Sequence, residues 1–90
     1  MLESKIQSKI TDYLTKNRFY SNKILSASRN GFPDVLAVKN GNVYLFEVKQ
    51  PGEELKPLQE ITIKKLNEHK EIAFCVQSFD QFLIIWRKLE

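Results

Sequence analysis

Residues 34–49 read DVLAVKNGNVYLFEVK, and the fold of the chain turns on them. Asn40-Gly41 is the strongest hairpin signal in the sequence, because a two-residue type I′ turn needs φ > 0 at both central positions. With those two residues as the turn, Lys39 faces Asn42, Val38 faces Val43, Ala37 faces Tyr44, Leu36 faces Leu45 and Val35 faces Phe46. The next pair is Asp34 with Glu47. Opposed residues share a face, with Cβ atoms about 4.5–5.5 Å apart. Both faces of this hairpin are apolar, so it belongs inside a sheet covered on both sides. At its open end two carboxylates meet, and Lys49 lies one pleat beyond Glu47 on the same side.

Two facing carboxylates repel by up to about 1 kcal/mol, and by more when buried. The arrangement nevertheless has a chemical use. Two carboxylates and a strand carbonyl form an oxygen-rich site for a hard divalent cation that keeps several waters. Such a cation lowers the pKa of a bound water, and a neighbouring Lys can orient that water or accept its proton. Hydrolysis of a phosphodiester needs both a nucleophile and neutralisation of the charge that develops on phosphate.

Outward from the hairpin, Ile6, Ile10, Tyr13 and Leu14 form the stripe of an amphipathic helix over residues 3–16. Residues 23–28 (KILSAS) read as a short strand, followed by the Gly31-Phe32-Pro33 break. Pro51-Gly52 ends the sheet segment. Pro57 suits a first helical turn, and Leu58, Ile61, Thr62, Lys65 and Leu66 outline a helix ending near His69. Residues 72–77 (IAFCVQ) read as a fourth strand. Ser78 with Gln81 resembles a capping box, and Phe79, Phe82, Leu83 and Trp86 favour a last helix, with a strand over 83–86 as the alternative. The order is αβββαβα, a single α/β domain over residues 1–90 with helices flanking the sheet.

The 90 residues carry 14 Lys+Arg against 11 Asp+Glu, a net charge of +3. The excess is uneven: Lys5, Lys9, Lys16, Arg18, Lys23 and Arg29 fall in the first third, opposed only by Glu3 and Asp12. That suits a polyanionic partner such as nucleic acid. The single Cys75 excludes an internal disulfide and fits a reducing compartment. No apolar run reaches the roughly 18–20 residues of a membrane span, and residues 1–15 are unlike a secretion signal. The expectation is an intracellular, cytoplasmic protein with no membrane contact.

The ordered set Leu2-Glu3 with Ile6-Gln7, Gly31-Phe32-Pro33-Asp34, Glu47-Val48-Lys49, Pro51-Gly52 with Leu55, and Gln59 resembles the PD-(D/E)XK nucleases. It is most similar to the virus-type replication-repair nuclease (VRR-NUC) domain in its small stand-alone, phage-like form. The resemblance implies a restriction-endonuclease-like core, αβββαβ(α), around a central mixed sheet. It implies Mg2+ or Mn2+ held by Asp34, Glu47 and the backbone carbonyl of Val48, with Lys49 acting on the attacking water. Glu3 would assist the metal, directly or through water, and Gln59 would help position the lysine or the phosphate. Lys56 departs from the pattern, standing where relatives often carry a small hydroxyl cap. The implied activity is metal-dependent cleavage of branched DNA, such as four-way (Holliday) junctions, by a homodimer in a prokaryotic or phage-infected cell, with no organic cofactor.

Ser26 and Ser28 are candidate phosphate contacts, and Lys5, Lys9, Lys23 and Arg29 are candidate contacts to the DNA backbone, giving affinity and salt dependence rather than sequence reading. Glu53 and Glu54 read as solvated loop acids. His69 has no partner at ligand spacing, and Cys75 reads as a core residue. The apolar last helix fits either core packing or a dimer seam. Two rival functions remain: a non-catalytic nucleic-acid-binding module on the same fold, and a subunit whose partner supplies DNA binding.

Overall fold

The computed structural model describes residues 2–90. Helix α1 (Glu3–Lys16) leads into strand β1 (Ser21–Lys23), then β2 (Val35–Lys39) and β3 (Asn42–Val48). Helix α2 (Pro57–Leu66), strand β4 (Ala73–Val76) and helix α3 (Phe79–Lys88) complete the chain. The sheet order is β1-β2-β3-β4, antiparallel except for the parallel β3–β4 pair. The hairpin has the register that Asn40-Gly41 dictates, from Lys39 opposite Asn42 to Val35 opposite Phe46. Both turn residues have positive φ, 52° and 79°.

One face of the sheet packs on α1 and α3. Ile6, Ile10 and Leu14 from α1 and Phe82 and Trp86 from α3 meet Val35, Ala37, Tyr44, Phe46, Val48 and Val76. Trp86 is the hub: Phe19 and Tyr44 approach it edge-on, Phe82 stacks on it, and the Lys39 ammonium lies 5.1 Å from its ring centre. Aromatic pairs of this kind add about 0.5–1.5 kcal/mol each beyond area burial. Phe82 and Trp86 are thus core residues and no dimer seam; Ile84 is the large apolar side chain of α3 that stays exposed.

The opposite face carries Leu36, Leu45, Glu47, Ala73 and Cys75, by the alternation of strand side chains. It lies on the side of α2, which touches the sheet through β4. The inward stripe of α2 is Gln59, Thr62, Ile63 and Leu66, all half-buried. Leu58 and Ile61, expected inside, are 56% and 57% exposed. The helix stops at Leu66 rather than His69. Asn67 ends it by accepting the Ile72 and Ala73 N–H groups through Oδ1 and donating to the Ala73 carbonyl.

The first strand also departs from the sequence reading. Pairing stops at Lys23. Ile24 N–H still donates to the Asp34 carbonyl at 2.7 Å, after which the chain leaves the sheet as an exposed loop. Ser26 and Ser28 are therefore loop residues and not strand residues. Gly31 anchors this loop against α2: its φ is +86°, and a Cβ there would lie 2.8 Å from the Leu58 carbonyl oxygen. No described helix is long and apolar enough to cross a membrane.

Candidate active site

Asp34 sits where β2 begins. Its N–H donates to the Phe46 carbonyl at 3.0 Å, and its carboxylate Oδ2 accepts the Val48 N–H at 2.9 Å. A side-chain oxygen thus takes the place of the next backbone acceptor in the β2–β3 ladder. This pins the carboxylate at the open end of the hairpin. The N–H and C=O of a strand residue point to the same side, so the Val48 carbonyl also faces the Asp34 edge.

Glu47 and Lys49 flank Val48 and are buried, 2% and 4% exposed. Lys49 is fixed through its backbone, its N–H donating to the Val76 carbonyl at 2.9 Å. The Glu47 side chain shares a hydrogen bond with Asp34, yet its Oε1 is buried without a partner. Burial, then the hydrogen bond to Asp34 and its charge, push the Glu47 carboxyl up to about 9, against the opposing pull of Lys49. Buried polar atoms are nearly always partnered, and the exceptions call for an explanation. An orphaned carboxylate oxygen beside a second carboxylate fits a hard divalent cation, whose charge would reverse this pKa shift. Among the described residues no three His, Cys, Asp or Glu side chains form a metal cluster on their own. A cation here would fill its shell from the Val48 carbonyl, water and substrate oxygens.

Glu3 reaches the same end of the sheet from the first residue of α1. Burial and contact with Glu53 raise its pKa, with Lys49 and Asp34 close enough to act on it. Glu53 is the residue that sequence reasoning dismissed. A signal was present: Pro51-Gly52 directly after Lys49 makes a tight turn that brings position 53 back to the strand end. Gln59 lies in the first turn of α2, where its Oε1 accepts the Lys56 N–H at 2.9 Å. Lys56 itself makes no side-chain cap, so Gln59 carries the helix N-terminus alone.

The expected DNA contacts separate into groups. Lys5 and Lys9 are exposed on α1, and Arg29 is exposed in the loop. Ser26 and Arg29 line an open hollow of about 340 Å³ that ends on Asp34. Ser28 is exposed but does not line that hollow. Lys23 is half-buried and donates to Ser8 Oγ at 3.0 Å, which ties β1 to α1.

A solved structure described as a VRR_NUC domain superposes on the chain with a TM-score of 0.85, covering 98% of this chain and 97% of that one at 21% identity. This likeness establishes the fold. No curated protein sequence matches significantly. A profile described as archaeal Holliday junction resolvase (Hjc) matches residues 21–88, a span that holds Asp34, Glu47, Lys49 and Gln59 but starts after Glu3. With three quarters of its length matched, the chain belongs to the archaeal Holliday junction resolvase (Hjc) family of PD-(D/E)XK nucleases.

Proposed function

We propose that this protein is a divalent-metal-dependent endonuclease that hydrolyses phosphodiester bonds in branched DNA, with four-way junctions as its preferred substrate. The observation that carries the reading is the buried Glu47 carboxyl, one oxygen unpartnered, against Asp34 and beside buried Lys49. Asp34, Glu47 and the Val48 carbonyl would hold Mg2+ or Mn2+, with Glu3 assisting directly or through water. Bound there, the cation would supply Lewis-acid stabilisation of the phosphoryl oxygens and lower the pKa of the attacking water.

The chain's own residues do the rest. Asp34, locked to Val48 N–H, holds its orientation without reorganising when substrate arrives, which is the condition for electrostatic catalysis. Lys49 Nζ, held at the end of β3, orients the attacking water and donates to the negative phosphate oxygens. Gln59 sets the start of α2 and, through Gly31, the loop that packs on it. Ser26 and Arg29 offer hydroxyl and guanidinium donors to a phosphate in the hollow beside Asp34, Ser28 extends that surface, and Lys5 and Lys9 hold the flanking backbone. Lys23 acts by joining β1 to α1.

The active species is a homodimer, which suits a substrate with two equivalent strands. Helix α2 supports this, having no buried residue and exposing Leu58 and Ile61. Sedimentation at micromolar concentration is expected to give a dimer; a species of 10.6 kDa would refute it.

The test is cleavage of end-labelled four-way junction, flap and linear duplex DNA with Mg2+, Mn2+ or chelator. Metal-dependent cutting that favours a branched substrate supports the reading. Tight junction binding without cutting in either metal would make the protein a binding module instead.

A further inference from the structure

Lys49 is followed at once by a closed turn. Glu53 N–H donates to the Gln50 carbonyl at 3.0 Å, with Pro51 in second position and Gly52 in third at φ +87°, the pattern of a type II turn. The Glu53 carboxylate folds back to accept the Gln50 N–H at 2.8 Å. The Glu53 carbonyl accepts from Gln77 Nε2 at 2.6 Å, and Gln77 is itself held by Gln81 Oε1 at 2.7 Å. An exposed loop acid is therefore fixed at three points, one of them on the strand that pairs with β3. Its side chain lies within hydrogen-bonding reach of Glu3, with Lys49 beside both.

Glu3 needs such a partner. It is the first residue of α1, and Leu2 before it is exposed and makes no side-chain cap. A glutamate there has free rotamers that cost entropy to hold.

We propose that Glu53 is a positioning residue: on the turn that follows Lys49, it holds the Glu3 side chain against the Asp34–Glu47–Lys49 centre. The inference rests on the metal-nuclease reading of that centre. Glu53 acts through Glu3 and not by touching substrate. Groups that orient a ligand's side chain typically alter metal affinity about 10–100-fold when removed, and an exposed one belongs at the lower end.

The test is Mn2+ affinity measured by calorimetry on the wild-type chain, Glu53→Ala, Glu53→Gln, Glu3→Ala and the Glu3→Ala/Glu53→Ala double variant, with melting points recorded alongside. Glutamine keeps an oxygen for the Gln50 N–H and gains an amide that donates to Glu3. The expected pattern is about a tenfold loss in Glu53→Ala, recovery to within about twofold in Glu53→Gln, and little further loss when Glu53→Ala is added to Glu3→Ala. Equal loss in both backgrounds, equal loss in the Ala and Gln variants, no loss in either, or a wild type that binds no Mn2+ overturns the proposal. A wild type that shows the expected pattern yet never cuts junction DNA leaves the positioning role standing and refutes the nuclease reading. A wild type that cuts while its Mn2+ affinity ignores residue 53 does the reverse.

Discussion

The Asp34 carboxylate accepts the Val48 N–H at 2.9 Å, so one residue serves at once as a rung of the sheet and as a member of the site. This separates two substitutions that catalysis alone would not. Asp34→Asn keeps an oxygen for Val48 and is expected to lose cleavage at near-wild-type stability. Asp34→Ala also strands the Val48 N–H, at an additional cost of about 1–3 kcal/mol. Denaturant titration of the two variants checks this; equal midpoints would refute the structural half of the role.

Glu47 makes stability depend on pH. In metal-free protein its carboxyl titrates near 9 rather than 4.5, so between those values the folded chain keeps a proton that the unfolded chain has lost. Its contribution is complete below the unfolded value and drains away as pH rises towards 9, by up to about 1.4 kcal/mol per pH unit. Thermal melts from pH 5 to 9 in chelator are expected to fall with pH. Glu47→Gln is expected to flatten that slope and to abolish stabilisation by added Mn2+. An unchanged slope in the variant would assign the titration to another group.

Lys49→Met keeps the aliphatic stem and removes the ammonium. Cleavage of junction DNA is expected to fall by at least about a hundredfold, the scale of a lost proton-handling or charge-stabilising group. Junction affinity measured in chelator is expected to change by less than about threefold. Equal losses in binding and cutting would make Lys49 a binding residue.

Gly31 tests the loop that ends on Asp34. Gly31→Ala forces a Cβ to 2.8 Å from the Leu58 carbonyl at positive φ. The expected result is destabilisation of about 1–3 kcal/mol with lowered cleavage, because the loop must lift from α2. Gly52→Ala, also at positive φ but with no atom within 4 Å of the new Cβ, is expected to cost less.

Arg29→Ala and Ser26→Ala address the hollow beside Asp34. Arg29→Ala is expected to weaken junction binding and reduce the salt slope by about one unit. Ser26→Ala is expected to lower the cleavage rate more than binding. Titrations at several salt concentrations distinguish the two.

The hairpin and its register were legible because Asn-Gly fixes the turn and a period of two then fixes every partner. The meeting of Asp34, Glu47 and Lys49 followed from that geometry. Helices α1 and α3 were legible from their stripes. The end of β1 was not: KILSAS has strand-like composition, but Ile24 spends its N–H on the Asp34 carbonyl, and the small polar residues beyond it carry the chain away. The inward stripe of α2 was misjudged because its Gln59, Thr62, Ile63 and Leu66 are more polar than the Leu58 and Ile61 it turns outward. Glu53 was missed because charge alone marks an acid as solvated, whereas a type II turn returns it to the strand end.

The bond between Asp34 and Val48 spans 14 residues of chain, while the contacts that dock α3, such as Lys39 Nζ to the Trp86 carbonyl, span 47. Loop-closure entropy grows with that separation, and local contacts form on faster folding routes. The metal-holding half of the site is therefore encoded by one short contiguous hairpin, which can assemble before the distant ends of the chain arrive. Glu3 and Gln77 join from those ends. The chemistry is a local property of the sequence, and the groups that tune it are a property of the completed topology.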